Sequence, residues 1–187
     1  MCGIAGILNF NDKAPVALEK LIILSESLGH RGPDDEGYYV SHNNKGKGVE
    51  YLGNFSNKNL SNLKQISSAS NNNFKLGLVH RRFSILDTSS LGHQPMLSND
   101  RKVILTFNGE IFNYIELRNE LISNGYSFNS NSDTEVVLNA YKEWGIDCLN
   151  KFNGFWAIGI LDLEKNICVL SRDRFGQKPL YYFQDKN

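Results

Sequence analysis

The first strand limits what the rest of the chain can build. Residues 2–8, CGIAGIL, set Cys2, Ile4, Gly6 and Leu8 on one face and Gly3, Ala5 and Ile7 on the other. Both faces are small or apolar, so the strand is expected to be covered on both sides. Its glycines let another layer approach closely. A strand of this kind belongs inside a layered structure, not on a surface.

The remaining elements agree with layers. The spacing of Leu18, Leu21, Ile22, Ser25 and Leu28 predicts a helix over 15–28, with Pro15 in its first turn and Gly29 as its C-terminal cap. HRGPDDEG is rich in turn formers and leads to a short strand, YYV. Residues 41–73 are rich in Asn, Ser, Gly and Lys, which assigns them to a surface insertion. Val49, Tyr51, Leu52 and Phe55 could instead supply a short hairpin there. Strand signals resume at FKLGLVHRRFSIL and KVILTF. NGEIFN reads as a turn into a helix over about 114–124, with Asn113 and Glu116 as a capping pair and Gly125 as its stop. SDTE reads as a capping box that opens a second helix near Ser132, whose Val136, Val137, Ala140, Tyr141 and Trp144 share one face. FWAIGIL, ICVLS and PLYYF read as three closing strands. This order is neither alternating βαβ nor all-β, so the fold class is α+β, with helices layered on mostly antiparallel sheet.

Length and composition narrow the function classes. The 187 residues fit one domain and can bury a core without covalent staples. Twenty Lys plus Arg balance twenty Asp plus Glu, and no basic patch is visible, which argues against a nucleic-acid partner. The N-terminal apolar run lacks a basic flank and is too short for a signal peptide or membrane span, so no membrane partner is expected. The cysteines Cys2, Cys148 and Cys168 match no zinc spacing, so no metal is expected and a reducing, cytoplasmic location is the default. Cys148 and Cys168 lie in apolar surroundings and read as buried small hydrophobes.

Cys2 differs by its position. Without Met1 it would carry a thiol and a free α-amine in one residue. Reference pKa values are about 8.5 for the thiol and about 7.7–8.0 for the amine. The amine can then accept a proton near neutral pH, and a nucleophile activated by an N-terminal amine is a known arrangement. Position alone would also suit a buried cysteine with no chemical role.

The motifs MCGIAGIL, HRGPDDEG, HRRFSILD, QPM, FNGEIFNY, SDTEVVL and RDRFGQKPLYY occur in this order. Together they resemble the class II glutamine amidotransferase domain, and most of all the N-terminal glutaminase half of glutamine-dependent asparagine synthetase. The likeness spans the whole chain except 41–73. It implies an N-terminal-nucleophile hydrolase fold, a four-layer αββα sandwich of two mostly antiparallel sheets. It implies one domain over 1–187 that hydrolyses L-glutamine to glutamate and ammonia. Cys2 would be the nucleophile and its own α-amine the base, by way of a γ-glutamyl thioester.

The likeness also assigns the other roles. Asn108 and Gly109 would form the oxyanion hole, a pair of neutral donors fixed before charge develops. Arg82 would hold the substrate α-carboxylate, for which a guanidinium suits because it binds through two parallel bonds. Arg81 points to the opposite strand face, so only one of the two can serve. Asp133 would bind the substrate α-ammonium, with Glu110 beside it. Asp133 would also stabilise its own helix as a first-turn carboxylate. Arg31 would lie near the nucleophile, Ile85 and Leu86 would line the glutamine pocket, and Asp173 and Arg174 would form an ion pair or turn.

HRGPD and RDRFGQKPLYY point toward asparagine synthetase, yet no S-G-G-x-D-type phosphate loop is present. The resemblance thus implies no cofactor for this domain, with ATP and Mg confined to a synthetase domain absent from this chain. The expected partners are L-glutamine and that ammonia-accepting domain in the same gene product, with a homodimer as a further possibility. Ammonia could also serve another acceptor, such as a sugar in surface-polysaccharide synthesis. A non-catalytic regulatory domain is disfavoured by the full set Cys2, Arg82, Asn108, Gly109 and Asp133. A protease of the same fold is disfavoured by the clamp pair Arg82 and Asp133.

Overall fold

The computed structural model describes residues 1–9, 15–42, 48–60, 62–69 and 74–185. Two sheets lie face to face. The first contains β1 (Gly3–Leu8), β2 (Asp35–Ser41), β3 (Val49–Leu52), β4 (Lys64–Gln65) and β5 (Leu76–Arg82), in the order β1-β5-β2-β3-β4. Its pairs are antiparallel except β3 with β4. The second contains β6 (Met96–Leu97), β7 (Val103–Ile111), β8 (Gly154–Asp162) and β9 (Ile167–Arg172), antiparallel throughout and in sequence order. Helix α1 (Leu18–Ser27) covers the first sheet, while α2 (Tyr114–Ser123), α3 (Asp133–Trp144) and the short α4 (Cys148–Lys151) cover the second. Helix, sheet, sheet, helix is the four-layer order.

Strand alternation builds the layers. Tyr38, Val40 and Val79 face α1, where they pack with Leu18 and Leu21. Tyr39, Leu76 and Leu78 face inward and meet Ile104 and Leu161 of the second sheet. Val103, Leu105, Phe107, Ile158 and Ile160 face the other way, against Leu117, Leu121, Val136, Val137 and Tyr141 of the outer helices. Each sheet is therefore apolar on both faces, as its first strand requires.

Five local readings are corrected. Helix α1 begins three residues later than 15–28 predicts, because Val16 pairs with Phe74 and its N–H donates to the Phe74 carbonyl at 2.6 Å. The 41–73 segment is not wholly a surface insertion: β3 pairs with β2, and Leu52 and Ile66 are buried. That part follows the hairpin alternative, while 43–47, 61 and 70–73 lie outside the described residues. NGE is not a turn, since β7 runs through Asn108, Gly109 and Glu110 against Ala157, Trp156 and Phe155. Asn113 does not cap α2 with its side chain; it bonds instead to the Lys151 carbonyl and the Asn153 N–H. PLYYF forms no strand, and Tyr181, Tyr182 and Phe183 are exposed. The Asp173 carboxylate accepts N–H bonds from Phe175, Gln177 and Lys178, which wraps the chain into a turn with Gly176 at φ 65°. That turn carries the segment off the line that would return along β9.

Cys148 is fully buried in the outer core, while Cys168 is only half-buried. Among the described residues no helix is long and apolar enough to cross a membrane. Leu21, fully buried between α1 and the first sheet, tests the first interface. Leu21→Ala is expected to lower the unfolding free energy by about 2–5 kcal/mol, read from urea denaturation.

Candidate active site

One cleft collects most of the predicted residues. It opens where the start of β1, the end of β5, the edge of β7 and the N-terminus of α3 converge, and it encloses about 530 Å³ including its mouth. Cys2, Arg82, Ile85, Leu86, Asn108, Gly109, Glu110 and Asp133 all line it. Arg31 does not: its Nε donates to the Cys2 carbonyl at 3.0 Å, so it holds the backbone of Cys2 from behind and is not placed to bind substrate.

The β1–β5 register places Cys2. Gly3 sits opposite Arg81, which brings Cys2 against the residues that follow β5. Its Sγ lies 3.4 Å from the Phe83 N–H and 3.6 Å from the Phe83 carbonyl oxygen. Burial pushes the thiol pKa up, opposed by the Phe83 N–H, so the sulfur is protonated at neutral pH. A base is needed to make it a nucleophile. With Met1 attached, the Cys2 nitrogen is an amide and cannot be that base.

Alternation separates the two arginines. Arg81 turns away from the cleft, where its Nε donates to the Gly32 carbonyl at 3.1 Å and it pairs with Glu36 at 3.4 Å. Arg82 turns into the cleft, with N–H groups held by the carbonyls of Ser89 and Asp87. The loop that supplies those carbonyls is tied by Asp87, which accepts from the N–H groups of Ser89 and Asn131. Ile85 and Leu86, both exposed, form the outer wall on this loop.

The edge of β7 is the central feature. Strand β6 ends opposite Leu105, so β7 continues past it with one edge uncovered. N–H groups along a strand alternate between its two edges, so those of Phe107, Gly109 and Ile111 share this edge. The Phe107 N–H donates to Gln94 Oε1 at 2.7 Å, and the Ile111 N–H to Asp133 Oδ2 at 3.0 Å. Between them the Gly109 N–H faces the cleft, beside the buried side chain of Asn108. Gly109 must lack a side chain because a Cβ there would collide with the Phe155 carbonyl of β8.

Asp133 begins α3, whose Ser132 cap accepts from the Glu135 N–H at 3.3 Å. Glu135 does not complete the capping box; its carboxylate ties the N–H groups of Asn129 and Ser130 instead. Burial pushes the Asp133 carboxyl up to about 6, with Glu110 adding to the rise and the Ile111 N–H opposing it.

The sequence reading missed Gln94, Thr134 and Lys178 in the cleft. All three lie in the quoted motifs QPM, SDTEVVL and RDRFGQKPLYY, but the likeness assigns none of them a role. The Lys178 ammonium is buried over the Phe155 ring, 4.2 Å from its centroid and 2.9 Å from Met1 Sδ. Asp173 organises the turn that delivers it. Among the described residues no group of His, Cys, Asp and Glu is arranged to hold a metal ion.

Known proteins are similar to this chain in sequence and in fold. The family profile described as a glutamine amidotransferase domain matches residues 66–187. Over its full length the chain is 36% identical to a putative glutamine-hydrolyzing asparagine synthetase 2 of Methanocaldococcus jannaschii, covering 33% of that protein. Over 97% of its length it is 34% identical to the glutamine-hydrolyzing asparagine synthetase 1 of Bacillus subtilis, covering 24% of it. The chain thus spans a third or less of the length of these curated relatives. In fold it is similar to the glutamine phosphoribosylpyrophosphate amidotransferase of B. subtilis, with a TM-score of 0.63 at 22% identity, over 86% of this chain and 35% of that one.

The raised Asp133 pKa has a consequence for stability. A carboxyl whose folded pKa lies above its unfolded value stabilises the fold below pH 4, and that contribution is lost as pH rises through about 6. Asp133→Asn keeps an oxygen for the Ile111 N–H without the charge. It is expected to be more stable than the unsubstituted chain at pH 7.5, by about 1–3 kcal/mol. The difference should disappear near pH 4, as read from thermal melts at the two pH values.

Proposed function

The chain belongs to the glutamine amidotransferase domain family, and we propose that it hydrolyses L-glutamine to glutamate and ammonia with Cys2 as nucleophile. The observation that carries this reading is the uncovered edge of β7, which presents the Gly109 N–H and Asn108 to the cleft that holds the Cys2 thiol. Arg82 and Asp133 line the same cleft with opposite charges, an arrangement suited to the carboxylate and ammonium of a free amino acid.

Removal of Met1 turns the Cys2 nitrogen from an amide into an α-amine. The amine takes the thiol proton, and the thiolate adds to the side-chain amide carbon of glutamine. The oxyanion that forms accepts bonds from the Gly109 N–H and the Asn108 side-chain amide. Both donors are held in place before charge appears, so stabilising the transition state needs no reorganisation. The ammonium then protonates the leaving nitrogen, the carbon–nitrogen bond breaks, and ammonia departs from a γ-glutamyl thioester. Water, deprotonated by the same amine, releases glutamate and restores the thiol.

The ammonia is proposed to serve a synthetase domain in a longer product, of the kind named in the relatives, which are three or more times the length of this chain. ATP and Mg would act in that domain, and the glutaminase step draws on no cofactor.

Two variants test the chemistry. Cys2→Ala is expected to abolish ammonia release from glutamine in the Met1-free protein while leaving its melting temperature unchanged within a few degrees. Intact mass before and after a chloroketone analogue of glutamine reports both methionine removal and the modified cysteine. Asn108→Ala is expected to lower kcat by about 100-fold or more and to leave KM nearly unchanged. An equal loss through KM would assign Asn108 to substrate binding instead.

A further inference from the structure

The register of β6 on β7 sets Met96 against Leu105 and Leu97 against Ile104. Continued by two residues, it would set Gln94 against Phe107 and join the two by main-chain bonds. The backbone does not do this, and the Gln94 carbonyl lies against Gly37. Side chains occupy the Phe107 peptide instead. Gln94 Oε1 accepts from its N–H at 2.7 Å, and His80 Nε2, reaching across from the first sheet, lies 3.1 Å from its carbonyl oxygen. Burial pushes the His80 pKa down to about 3, so the ring is neutral and its Nε2–H donates. The other end of the Gln94 amide donates to Thr134 Oγ1 at 3.3 Å. Gln94 and His80 are 3% and 0% exposed, so neither bond competes with bulk water.

We propose that Gln94 is a positioning residue for the oxyanion hole. With His80 it fixes both main-chain groups of Phe107, the residue that precedes Asn108, and through Thr134 it ties that residue to the helix carrying Asp133. The inference rests on the glutaminase reading of the cleft. Phe107 is pinned by Gln94 at one end of the exposed edge and Ile111 by Asp133 at the other, and Gly109 hangs between these points. A shift of about 1 Å in a reacting or stabilising group can cost about 100-fold in rate. Releasing the Phe107 end should therefore act on the transition state, and releasing Thr134 alone should act on the substrate clamp.

The experiment uses the full chain without Met1, with rates expressed per Cys2 titrated by the chloroketone, so that misfolded protein does not count. Thr134→Val is expected to raise KM by about threefold or more with kcat within about twofold. Gln94→Met is expected to show that rise in KM and to lower kcat by at least about tenfold. The double variant should match Gln94→Met alone, because both changes remove the same bond. A kcat within twofold of the unsubstituted protein for Gln94→Met, or full additivity in the double variant, overturns the proposal. Should Gln94→Met not fold, Gln94→Asn keeps the amide but ends one methylene short of the Phe107 N–H and is expected to lower kcat by at least about tenfold, and a kcat within twofold overturns the proposal. A tenfold loss of kcat in Thr134→Val would overturn the assignment. If the unsubstituted protein releases no ammonia, the glutaminase reading fails and the clamp is read by hydrogen exchange. Peptides spanning Thr106–Glu110 should then exchange at least about tenfold faster in Gln94→Met, and unchanged exchange rejects the clamp.

Discussion

The site depends on the register between β1 and β5. With Gly3 against Arg81, the first strand begins where β5 hands over to Phe83, and the Cys2 sulfur falls between the N–H and carbonyl of that residue. A slip of one residue would turn every side chain of β1 to its opposite face. The same alternation on β5 sends Arg81 to Glu36 and Gly32, and Arg82 to the cleft. Gly32 packs so tightly on the Arg81 backbone that any side chain there would overlap it. Both arginines therefore take their roles from one strand, one supporting the structure behind the cleft and one facing into it.

Behind the cleft lies a buried polar layer that the 41–73 segment completes. Glu36 accepts from Ser25, Tyr38 and the Phe55 N–H and pairs with Arg81, while Asp35 accepts from the Asn57 N–H and bonds His93 at 2.7 Å. Buried carboxylates persist only when hydrogen bonds and opposite charge offset their lost hydration. Asp35 has such partners and its pKa is lowered despite burial. Asp133 also accepts backbone N–H bonds, but the like charge of Glu110 lies beside it where Asp35 has a histidine, and its pKa is raised. The contrast separates a carboxylate whose charge the surrounding fold stabilises from one whose charge it does not, a difference that burial alone would not reveal.

The sequence located the cleft residues better than the strands that hold them. Capping marked the start of α3 at the SDTE motif, and alternation showed that Arg81 and Arg82 face opposite ways, but only the resemblance singled out Cys2 and chose Arg82 over Arg81. NGE was not legible as strand: Asn-Gly favours a turn in isolation, and only the long pairing of β7 with β8 through Gly154 keeps it extended. PLYYF has the alternation and aromatic content of a strand, but the Asp173 turn redirects it before it can pair. Gln94 was out of reach for a similar reason. Its contact with the Phe107 N–H comes from where β6 begins, and strand ends are set by tertiary contacts rather than by the residues themselves.

Met1 changes the chemistry of the site without belonging to its frame. The Cys2 carbonyl is held by Arg31 and its sulfur by the Phe83 peptide, and the β1 ladder starts only at Gly3. None of these bonds uses Met1, so its loss would leave Cys2 where it stands. Its contact with the cleft is made through sulfur, against the Lys178 ammonium. That cation also rests on the Phe155 ring, an attraction that does not depend on the methionine. Removing one residue would thus convert an amide into a base beside a neutral thiol while the strands, the arginine clamp and the β7 edge stay fixed. On the proposed reading, a nucleophile whose base is created by processing must be held by the residues that follow it, and here they are Gly3 to Leu8 on β5.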